Sequence, residues 1–597
     1  MPVRTRTIAR SAVALAAWLC VCSSMALSQA APPRPPAGSP LSGGGAVSGR
    51  SGRSGADLVL RNGAVFTMDA TRSWADAVAV KGGKIVYVGP SAGTDALIVP
   101  RTKVIDLQGR MVLPSFQDAH IHPISGGISY NACALFDLGT REAYVRKVKE
   151  YAAQHPDRPW IRGDGWALDA FTPTGIPDRS LLDAVVPDRP VYLESSDGHS
   201  AWVNTKALQI AGITRETSDP AGGRIDRDGR TGEAVGGLQD EAMNLVARHI
   251  PPFTDAERLE GLRYALRMLN GFGVTAFQDA NAPRESLEAY RILDQKDALT
   301  ARVVASLWWD RNRDEGQIRD FLDLRHRYTR GRVNANTIKI MQDGVMEVQT
   351  AALLRPYVGK PGVTGLEMVD PEKLKDYVTR LDKEAFQVHF HAIGDAAIRH
   401  CLDAVEAARR ANGSRDGRHH ISHLELFDPA DIPRFRQLNV IANFQPLWAF
   451  EDGYMKDLTL PFLEPERRRW IYPIRSLLES GAVVAFGSDW SVSSANPLEE
   501  LEVAVTRMGA DGETKTPFLP EERIDLRDAL AAFTIGAAYV NFLQDRTGSI
   551  EEGKLADLIV LDRNLFSIPP SQISETRVLL TLLEGKPVHG DLEALAR

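Results

Sequence analysis

Two histidines one residue apart, His120 and His122, end an apolar run of the chain, Met111-Val-Leu-Pro-Ser-Phe-Gln-Asp-Ala-His-Ile-His. In a β-strand, side chains two positions apart point to the same side. Both imidazoles can therefore reach one metal ion at the end of such a strand. A His-x-His pair alone is weak evidence, because short motifs recur by chance. It gains weight because more residues of ligand type follow strand-like runs downstream.

Eight strand-like runs alternate with helical stretches through the middle of the chain. They are Val112–His120, Val274–Asp279, Val303–Trp308, Ile338–Asp343, Gln387–His391, His420–Leu424, Val440–Gln445 and Val483–Asp489. Strands that alternate with helices form parallel βαβ units, and eight such units predict an α/β fold of the (β/α)8, TIM-type barrel class. The interval between His122 and Val274 is too long for a loop, so it predicts an inserted subdomain at about residues 125–265.

The two ends of the chain share a different pattern. Short alternating strands with hairpin turns, among them Asn62-Gly63 and Gly82-Gly83, occupy residues 56–112. A similar alternation returns within residues 546–597, from Gly548 onwards. We expect these two segments to pair into one small β-sandwich, which brackets a barrel of residues 113–545.

The first 30 residues have the pattern of a secretory signal peptide. A basic start with Arg4, Arg6 and Arg10 precedes an apolar stretch that is too short to span a bilayer, and small residues then supply a cleavage site. An uncleaved membrane anchor is the alternative. Residues 31–55 are rich in Pro, Gly and Ser and predict a flexible linker. We therefore expect an exported protein, periplasmic or secreted, with no stable membrane span after signal removal.

The composition of the chain limits the classes of binding partner that we expect. The chain has 597 residues, of which 44% are hydrophobic and 25% charged, as in ordinary soluble globular proteins. Its formal net charge of −7 argues against nucleic acid, which would favour a basic patch. Once a signal is removed only Cys133 and Cys401 remain, so we expect no disulfide framework, and whether these two pair stays open. A small-molecule substrate and a possible homo-oligomer are the partners we expect.

Residues of ligand type stand where the predicted strands end, and barrel enzymes carry their active groups at the carboxyl ends of the strands. Those ends present His120 and His122 on the first strand, Lys339 on the fourth, His391 on the fifth, His423 on the sixth and Asp489 on the eighth. Four imidazoles and a carboxylate suit a divalent metal such as Zn²⁺, as one or two ions.

Some of these assignments have rivals in the sequence. Lys339 fits a metal site if its amine carries CO₂ as a carbamate, an anion that can bridge two metals. The alternative is an ion pair with Asp343, because an unpaired buried ammonium is costly. His389 is the rival of His391, two positions away, and the adjacent His419 and His420 are the rivals of His423.

The motifs in this order resemble a known family. Pro114-Ser-Phe-Gln-Asp-Ala-His-Ile-His-Pro resembles the amidohydrolase signature Pro-Gly-Phe-x-Asp-x-His-x-His. Four further segments resemble the amidohydrolase-3 branch, which includes N-substituted formamide deformylases: Ile338-Lys-Ile-Met-Gln-Asp-Gly, His391-Ala-Ile-Gly-Asp-Ala-Ala, Gly487-Ser-Asp-Trp and Asp197-Gly-His-Ser-Ala-Trp-Val-Asn. The resemblance runs from about Asp57 to Ala594. It implies a metal-bearing barrel with a split β-sandwich that hydrolyses amide-type C–N bonds.

The chain departs from the family pattern at three places. Ser115 stands where the signature has Gly, which the backbone tolerates if it is not left-handed there. Ser422 stands where relatives usually carry Glu before the sixth-strand histidine. Glu347-Val-Gln replaces a smaller segment after Asp343-Gly344, a change that bears on the substrate.

The expected chemistry is metal-assisted hydrolysis. A divalent ion lowers the pKa of its bound water, the resulting hydroxide attacks the substrate carbonyl, and Asp489 takes the proton and later delivers it to the leaving nitrogen. Expected substrate contacts are His199, Asn204, Trp166, Asp343 and Trp448. The structural alternatives are a loop-stabilising histidine, a helix cap by Asn204, and packing by the tryptophans. The rival functions are a metal-dependent esterase, lactonase or deaminase, or a secreted binding protein without turnover.

Overall fold

The structure, a computed structural model, describes residues 55–136 and 138–595. The predicted signal peptide and almost all of the predicted linker therefore lie outside the described residues. Within the described ranges, no helix is both long enough and apolar enough to cross a membrane.

An eight-stranded parallel barrel forms the centre of the described chain. Its strands, labelled β1 to β8 in chain order, are Phe116–Ile121, Val274–Asp279, Arg302–Trp308, Val333–Met341, Gln387–Ala392, His420–His423, Ile441–Phe444 and Val484–Phe486. Each strand is hydrogen bonded to the next. The segment after β8 closes the ring, because the N–H of Asp489 donates to the carbonyl of His120 at 2.8 Å and that of His122 to Trp490 at 2.8 Å. The predicted barrel is confirmed.

The first predicted strand is two strands in the structure. Met111–Pro114 pairs with Ala64–Phe66 and with Leu558–Leu561, whereas β1 begins at Phe116 and pairs with β2. Pro114 has no N–H to give to a ladder, so hydrogen bonding changes partner at this point. The prediction of one continuous strand from Val112 to His120 is therefore wrong.

Helices surround the barrel and bury one side each. The principal ones are Asp255–Gly271, Arg284–Gln295, Gln317–Tyr328, Pro371–Lys383, Asp395–Asn412, Ile432–Leu438, Ile474–Glu479, Pro497–Thr506 and Leu526–Ala531. The first of them starts at a capping box between Thr254 and Glu257 and buries Leu262, Leu266 and Leu269. That spacing of four and three residues places the three leucines on one face of the helix.

Two packed sheets join the ends of the described chain. One contains Leu58–Arg61, Ala77–Lys81, Lys84–Gly89 and Lys103–Asp106, and the other contains Ala64–Phe66, Trp74–Ala75, Met111–Pro114, Leu558–Leu561, Val578–Leu583 and Lys586–His589. Leu60 and Val78 of the first sheet share a core with Val560 and Leu580 of the second. The expected composite β-sandwich is present.

The insert between β1 and β2 has a six-stranded sheet of its own. Its strands are Cys133–Ala134, Ile161–Trp166, Val191–Ser195, Ser200–Val203, Gly223–Arg227 and Ala234–Asp240, and its longer helices are Arg141–Gln154 and Thr205–Ala211. Helix Pro123–Tyr130 leads into it from the barrel. Cys133 in this sheet and Cys401 in a barrel helix are both buried free thiols, so they do not pair.

Candidate metal centre

Asp489 lies at the centre of a cluster of the predicted ligands at the carboxyl end of the barrel. Its Oδ1 is 3.3 Å from Nε2 of His120 and 3.1 Å from Nε2 of His122. Its Oδ2 is 3.7 Å from Nδ1 of His423. The ligand atoms of His120, His423 and Asp489 all lie within 4.8 Å of one another, and all three residues are buried. That spacing allows one ion to contact three side chains.

The other two predicted ligands border the same cluster. The Lys339 Nζ is 3.5 Å from Nε2 of His120, and the rings of His391 and His423 have centroids 4.5 Å apart. Lys339 is 2% exposed, and burial lowers the pKa of its amine to about 7. No ion pair between Lys339 and Asp343 occurs among the residues that the structure describes. The six predicted ligands therefore converge, and the sequence-based alternative of a Lys339–Asp343 pair does not form.

The charge states of the cluster suit a cation. Burial lowers the pKa of His120 and His391 well below the usual range, and lowers that of His423 to about 3. Burial alone would raise the pKa of Asp489, but His120 and His122 hold it well below its usual range. Neutral imidazoles and an ionised carboxylate are the forms that bind divalent metals. Nδ1 of His391 and Nδ1 of His423 are buried without a hydrogen-bond partner.

Two of these residues have left-handed backbones. The φ angle is +81° at His423, the last residue of β6, and +53° at Asp489, just after β8. Residues other than glycine adopt this backbone region at a cost in energy, and such strained backbones are often found at functional sites. The strained conformations lie at the ends of β6 and β8, the strands that supply the candidate ligands His423 and Asp489.

A second layer of polar side chains lies beneath His120. Nε2 of His389 is 2.8 Å from Nδ1 of His120 and 2.9 Å from Oγ of Ser422. Nδ1 of His389 is 3.0 Å from Oγ of Ser306. His389, the sequence-level rival of His391, therefore supports the ring of His120 rather than facing the cluster. Ser422, one of the three departures from the family pattern, belongs to this supporting layer and also accepts from Asn443 Nδ2 at 3.1 Å.

Asp118 joins the first and last barrel strands. Its Oδ1 accepts from the N–H of His120 at 2.9 Å, and its Oδ2 accepts from Oγ of Ser488 at 2.6 Å. Ser488 directly precedes Asp489, so one carboxylate fixes the backbone of two candidate ligands. Asp118 is not among the residues predicted from the sequence, although its place in the Phe-x-Asp-x-His motif was the available signal.

The insert contributes a histidine to the cluster. His199 Nε2 is 3.4 Å from Nε2 of His391, and His199 Nδ1 is 2.6 Å from Oδ1 of Asp240. Burial alone would lower the pKa of His199, but the hydrogen bond and charge of Asp240 raise it to about 9. A protonated His199 can donate its Nε2–H to a substrate oxygen. The sequence predicted His199 here but not Asp240, which no short motif connects to it.

The predicted tryptophans have different surroundings. Trp448 stacks on His423, with ring centroids 5.5 Å apart and an interplanar angle of 13°, and it lines a cavity beside the cluster. Trp166 is fully buried in the core of the insert, where its Nε1 donates to the carbonyl of Leu193 at 2.9 Å. The packing alternative therefore describes Trp166. Of the two, Trp448 alone lines the cavity, where a substrate can contact it.

The side chains of two other predicted substrate contacts, Asn204 and Asp343, bind backbone N–H groups of the protein. Asn204 caps helix Thr205–Ala211 by accepting from the N–H of Ala207 at 3.0 Å, and it is fully buried. Asp343 is also fully buried, and its carboxylate accepts the N–H groups of Ala352, Ile393 and Gly394. Asp343 thus holds the loop that follows His391. Both positions correct the sequence-based assignment, because each carboxylate or amide is occupied by backbone groups.

Two cavities, of about 450 and 700 Å³, border the ligand cluster. Both are lined by His199, His391, His423 and Asp489, and the larger one also reaches His120, His122 and Lys339. Volumes of this size accommodate small organic molecules. A substrate can therefore lie in either cavity with its reacting bond at the cluster.

Comparisons with known proteins agree with this architecture. The sequence model of the amidohydrolase family matches residues 103–589. Protein LONG AFTER FAR-RED 3 of Arabidopsis thaliana is 33% identical over 548 residues, which cover 89% of this chain and 92% of that protein. The N-substituted formamide deformylase of Arthrobacter pascens is 28% identical over 543 residues, with 89% and 97% covered. The crystal structure of an uncharacterized metal-dependent hydrolase from Pyrococcus horikoshii has the same fold, with a TM-score of 0.68, 23% identity, and 86% and 99% covered.

Proposed function

The chain belongs to the amidohydrolase family and is a hydrolase of carbon–nitrogen bonds, and we propose that it hydrolyses a non-peptide amide or formamide of a small molecule. One observation carries the proposal: the buried neutral imidazoles of His120 and His423 surround the ionised carboxylate of Asp489, which lines both cavities. The similarity to an N-substituted formamide deformylase supports the choice of bond.

We propose a divalent metal cofactor, most simply Zn²⁺, as one or two ions. The donor set fits, because imidazole nitrogens and carboxylate oxygens are the ligands zinc prefers, and two of the imidazole nitrogens are buried without a partner. His120, His122, His391, His423 and Asp489 would hold the metal, and Lys339 would join them as a carbamate. When bound, such an ion supplies a Lewis acid and lowers the pKa of water.

The protein's own groups then divide the remaining work. Asp489 takes a proton at a carboxylate oxygen from the attacking water and returns it to the leaving nitrogen. His199, held by Asp240, donates its Nε2–H to the substrate carbonyl oxygen and so stabilises the charge that develops there. Trp448 covers one side of the His423 ring.

A substrate panel combined with metal analysis tests the proposal. Purified protein is assayed against N-formyl amines, N-acyl amines, cyclic amides, esters, lactones and aminated ring compounds, and its metal content is measured by elemental analysis. We expect turnover of an amide or formamide class that is lost on chelation and restored by the metal. Turnover confined to esters, lactones or ring amines would replace the proposal with one of those activities. Bound small molecules without any turnover would identify a binding protein.

The state of Lys339 and the number of ions need a direct measurement. Anomalous scattering from crystals of the purified protein reports which ions are present and how many, and the same electron density reports whether Nζ carries a carboxyl group. We expect a carbamate where two ions are bound. Two ions beside an unmodified Lys339 would contradict the bridging role.

We also propose that the protein is exported. The basic and apolar pattern of residues 1–30 supports this, although it lies outside the described residues. The test is the N-terminal sequence of the protein recovered from fractionated cells. We expect a chain that begins near residue 29 or 31 outside the cytoplasm, and an intact Met1 in the cytoplasmic fraction would contradict export.

A further inference from the structure

The smaller cavity has an acidic lining. Five carboxyl groups line it, one of which is Asp489 of the ligand cluster. We call the space between the other four the acidic chamber: Asp197, Glu347, Glu425 and Asp452. The lining of this cavity contains no lysine and no arginine among the residues that the structure describes. None of the four carboxylates takes part in an ion pair with lysine or arginine in the described chain.

Glu425 is the deepest of the four. It is 3% exposed, and its Oε1 has no hydrogen-bond partner. A buried polar atom without a partner costs about 1–3 kcal/mol relative to a satisfied one, so native proteins rarely keep such atoms without a use. Glu425 lines the cavity, so a ligand there lies beside its carboxyl group.

Glu347 belongs to a segment in which the sequence departs from the family pattern. Burial raises the pKa of Glu347 to about 7, and repulsion from Asp197 and Asp452 adds to that rise. The carboxylates of the chamber are therefore close enough to destabilise one another's charges. A cation placed among them would relieve this repulsion.

Aromatic rings complete the chamber. Trp448, Tyr454 and Tyr472 line the same cavity. The faces of such rings attract cations within about 6 Å, with an energy of about 0.5–2 kcal/mol. The one cationic side chain of the described lining, His199, is already paired with Asp240. The remaining carboxylates and aromatic faces around this space form a recognition site for an organic cation.

We propose that the acidic chamber binds a cationic group, an ammonium or guanidinium, carried by the amide substrate of this enzyme. The inference rests on the proposed function and adds the substrate class to it. His391, His423 and Asp489 also line the chamber, so one molecule can place its cation beside Glu425 and its amide at the ligand cluster. The enzyme then selects amides of basic amines or basic acids over neutral amides of equal size.

The first test is a preference between two formamides. Monoformyl cadaverine carries a terminal ammonium, and N-hexylformamide has a methyl group at the same position. We expect the wild-type enzyme to favour the ammonium compound at least ~10-fold in kcat/KM, and Glu425→Gln and Glu347→Gln each to reduce that ratio at least ~10-fold. Glu451→Gln is the matched control, because Glu451 is exposed and adjacent to Asp452 but does not line the chamber.

The second test measures binding without turnover. Phenyltrimethylammonium has a permanent charge and no lone pair, so it cannot ligate a metal. Calorimetry should detect its binding to the wild-type protein and to Glu451→Gln, with at least ~10-fold weaker binding to the two chamber variants. Thermal unfolding checks that each variant is folded, and Glu347→Gln replaces Glu425→Gln if the latter is not.

The two tests separate the two proposals. If the enzyme hydrolyses formamides, the ratio of kcat/KM for monoformyl cadaverine to that for N-hexylformamide decides whether the chamber binds a cation. Equal kcat/KM values for the two compounds would overturn the proposed chamber and leave the proposed hydrolysis intact. If it hydrolyses none of the panel, cation binding decides. Binding that depends on Glu425 or Glu347 then leaves the chamber in place without the proposed chemistry. Absent binding, or binding unchanged in both variants, overturns the chamber.

Discussion

Replacement of His389 by leucine should weaken metal binding although His389 is not a ligand. Its Nε2 is 2.8 Å from Nδ1 of His120, and its other nitrogen is 3.0 Å from Oγ of Ser306. Leucine fills a similar volume but cannot accept or donate a hydrogen bond. The variant therefore removes the support of one ligand ring while it leaves all six candidate ligands in the chain.

The expected magnitude follows from that one hydrogen bond. Loss of a partner that orients a ligating histidine lowers metal affinity by about 10–100-fold. That range corresponds to about 1.4–2.8 kcal/mol at ~1.4 kcal/mol per tenfold change. It agrees with the ~1–3 kcal/mol cost of a buried N–H without a partner, which is the condition of Nδ1 of His120 in the variant. We expect a similar loss in the free energy of unfolding of the metal-free protein.

The assay is competition for the metal between the chelator-stripped protein and a chromophoric chelator. His420→Leu is the matched control. His420 is fully buried, its ring centroid is 4.1 Å from that of His389, and it hydrogen bonds to none of the candidate ligands in the described chain. We expect the control to keep the wild-type metal dissociation constant. A His389→Leu protein that is folded and binds metal as tightly as wild type would refute the supporting role, and His389→Gln takes its place if leucine prevents folding.

Three further outcomes are expected. Asp489→Asn and His391→Ala should each lower turnover at least ~10²-fold with folding retained, as for a lost acid–base or ligand group. Steady-state kinetics measures turnover and circular dichroism checks folding, and near wild-type turnover in either folded variant would contradict the assignment. Burial alone would raise the pKa of Asp382, but hydrogen bonds from a neighbouring histidine and asparagine lower it to about 2. The stabilisation by ionised Asp382 is therefore complete above the ordinary pKa of 3.8 and lost as the pH falls towards 2. Urea unfolding should show that Asp382→Asn has a free energy of unfolding about 1–2 kcal/mol below that of wild type at pH 7, and that this difference shrinks between pH 4 and 2. A difference that stays constant with pH would be inconsistent with this linkage. Cys133 and Cys401 are buried, so peptide mapping after treatment with a thiol reagent should find them unmodified in the native protein and modified in urea, whereas rapid native labelling of either would contradict its burial.

The barrel and the positions of the candidate ligands were predictable because the signals are local. His120 and His122 share one face of a strand through their spacing, and barrel enzymes place such residues at the carboxyl ends of strands. The alternation of strands and helices then specifies which residues stand at those ends. His391, His423 and Asp489 each follow directly from the position where a strand-like run stops.

The structure differs from the predicted substrate contacts where one residue type can serve either packing or binding. Trp166 and Trp448 are the same side chain in segments of similar composition, yet Trp166 packs inside the insert and Trp448 stacks on His423. Asn204 and Asp343 have side chains that bind a substrate and backbone N–H groups equally well. Which of these occurs depends on the groups that packing brings near them, and the local sequence does not contain that information.

The sequence by itself determined the fold class, the two-segment sandwich and the identity of the candidate ligands, because periodicity and strand-end position are properties of short stretches of chain. Only the tertiary structure decided what supports them. Asp118 reaches Ser488 across 370 positions, and His389 reaches His120 across 269. Contacts of this kind exist only after the barrel closes, because closure places the ends of distant strands side by side and commits each polar group to one partner.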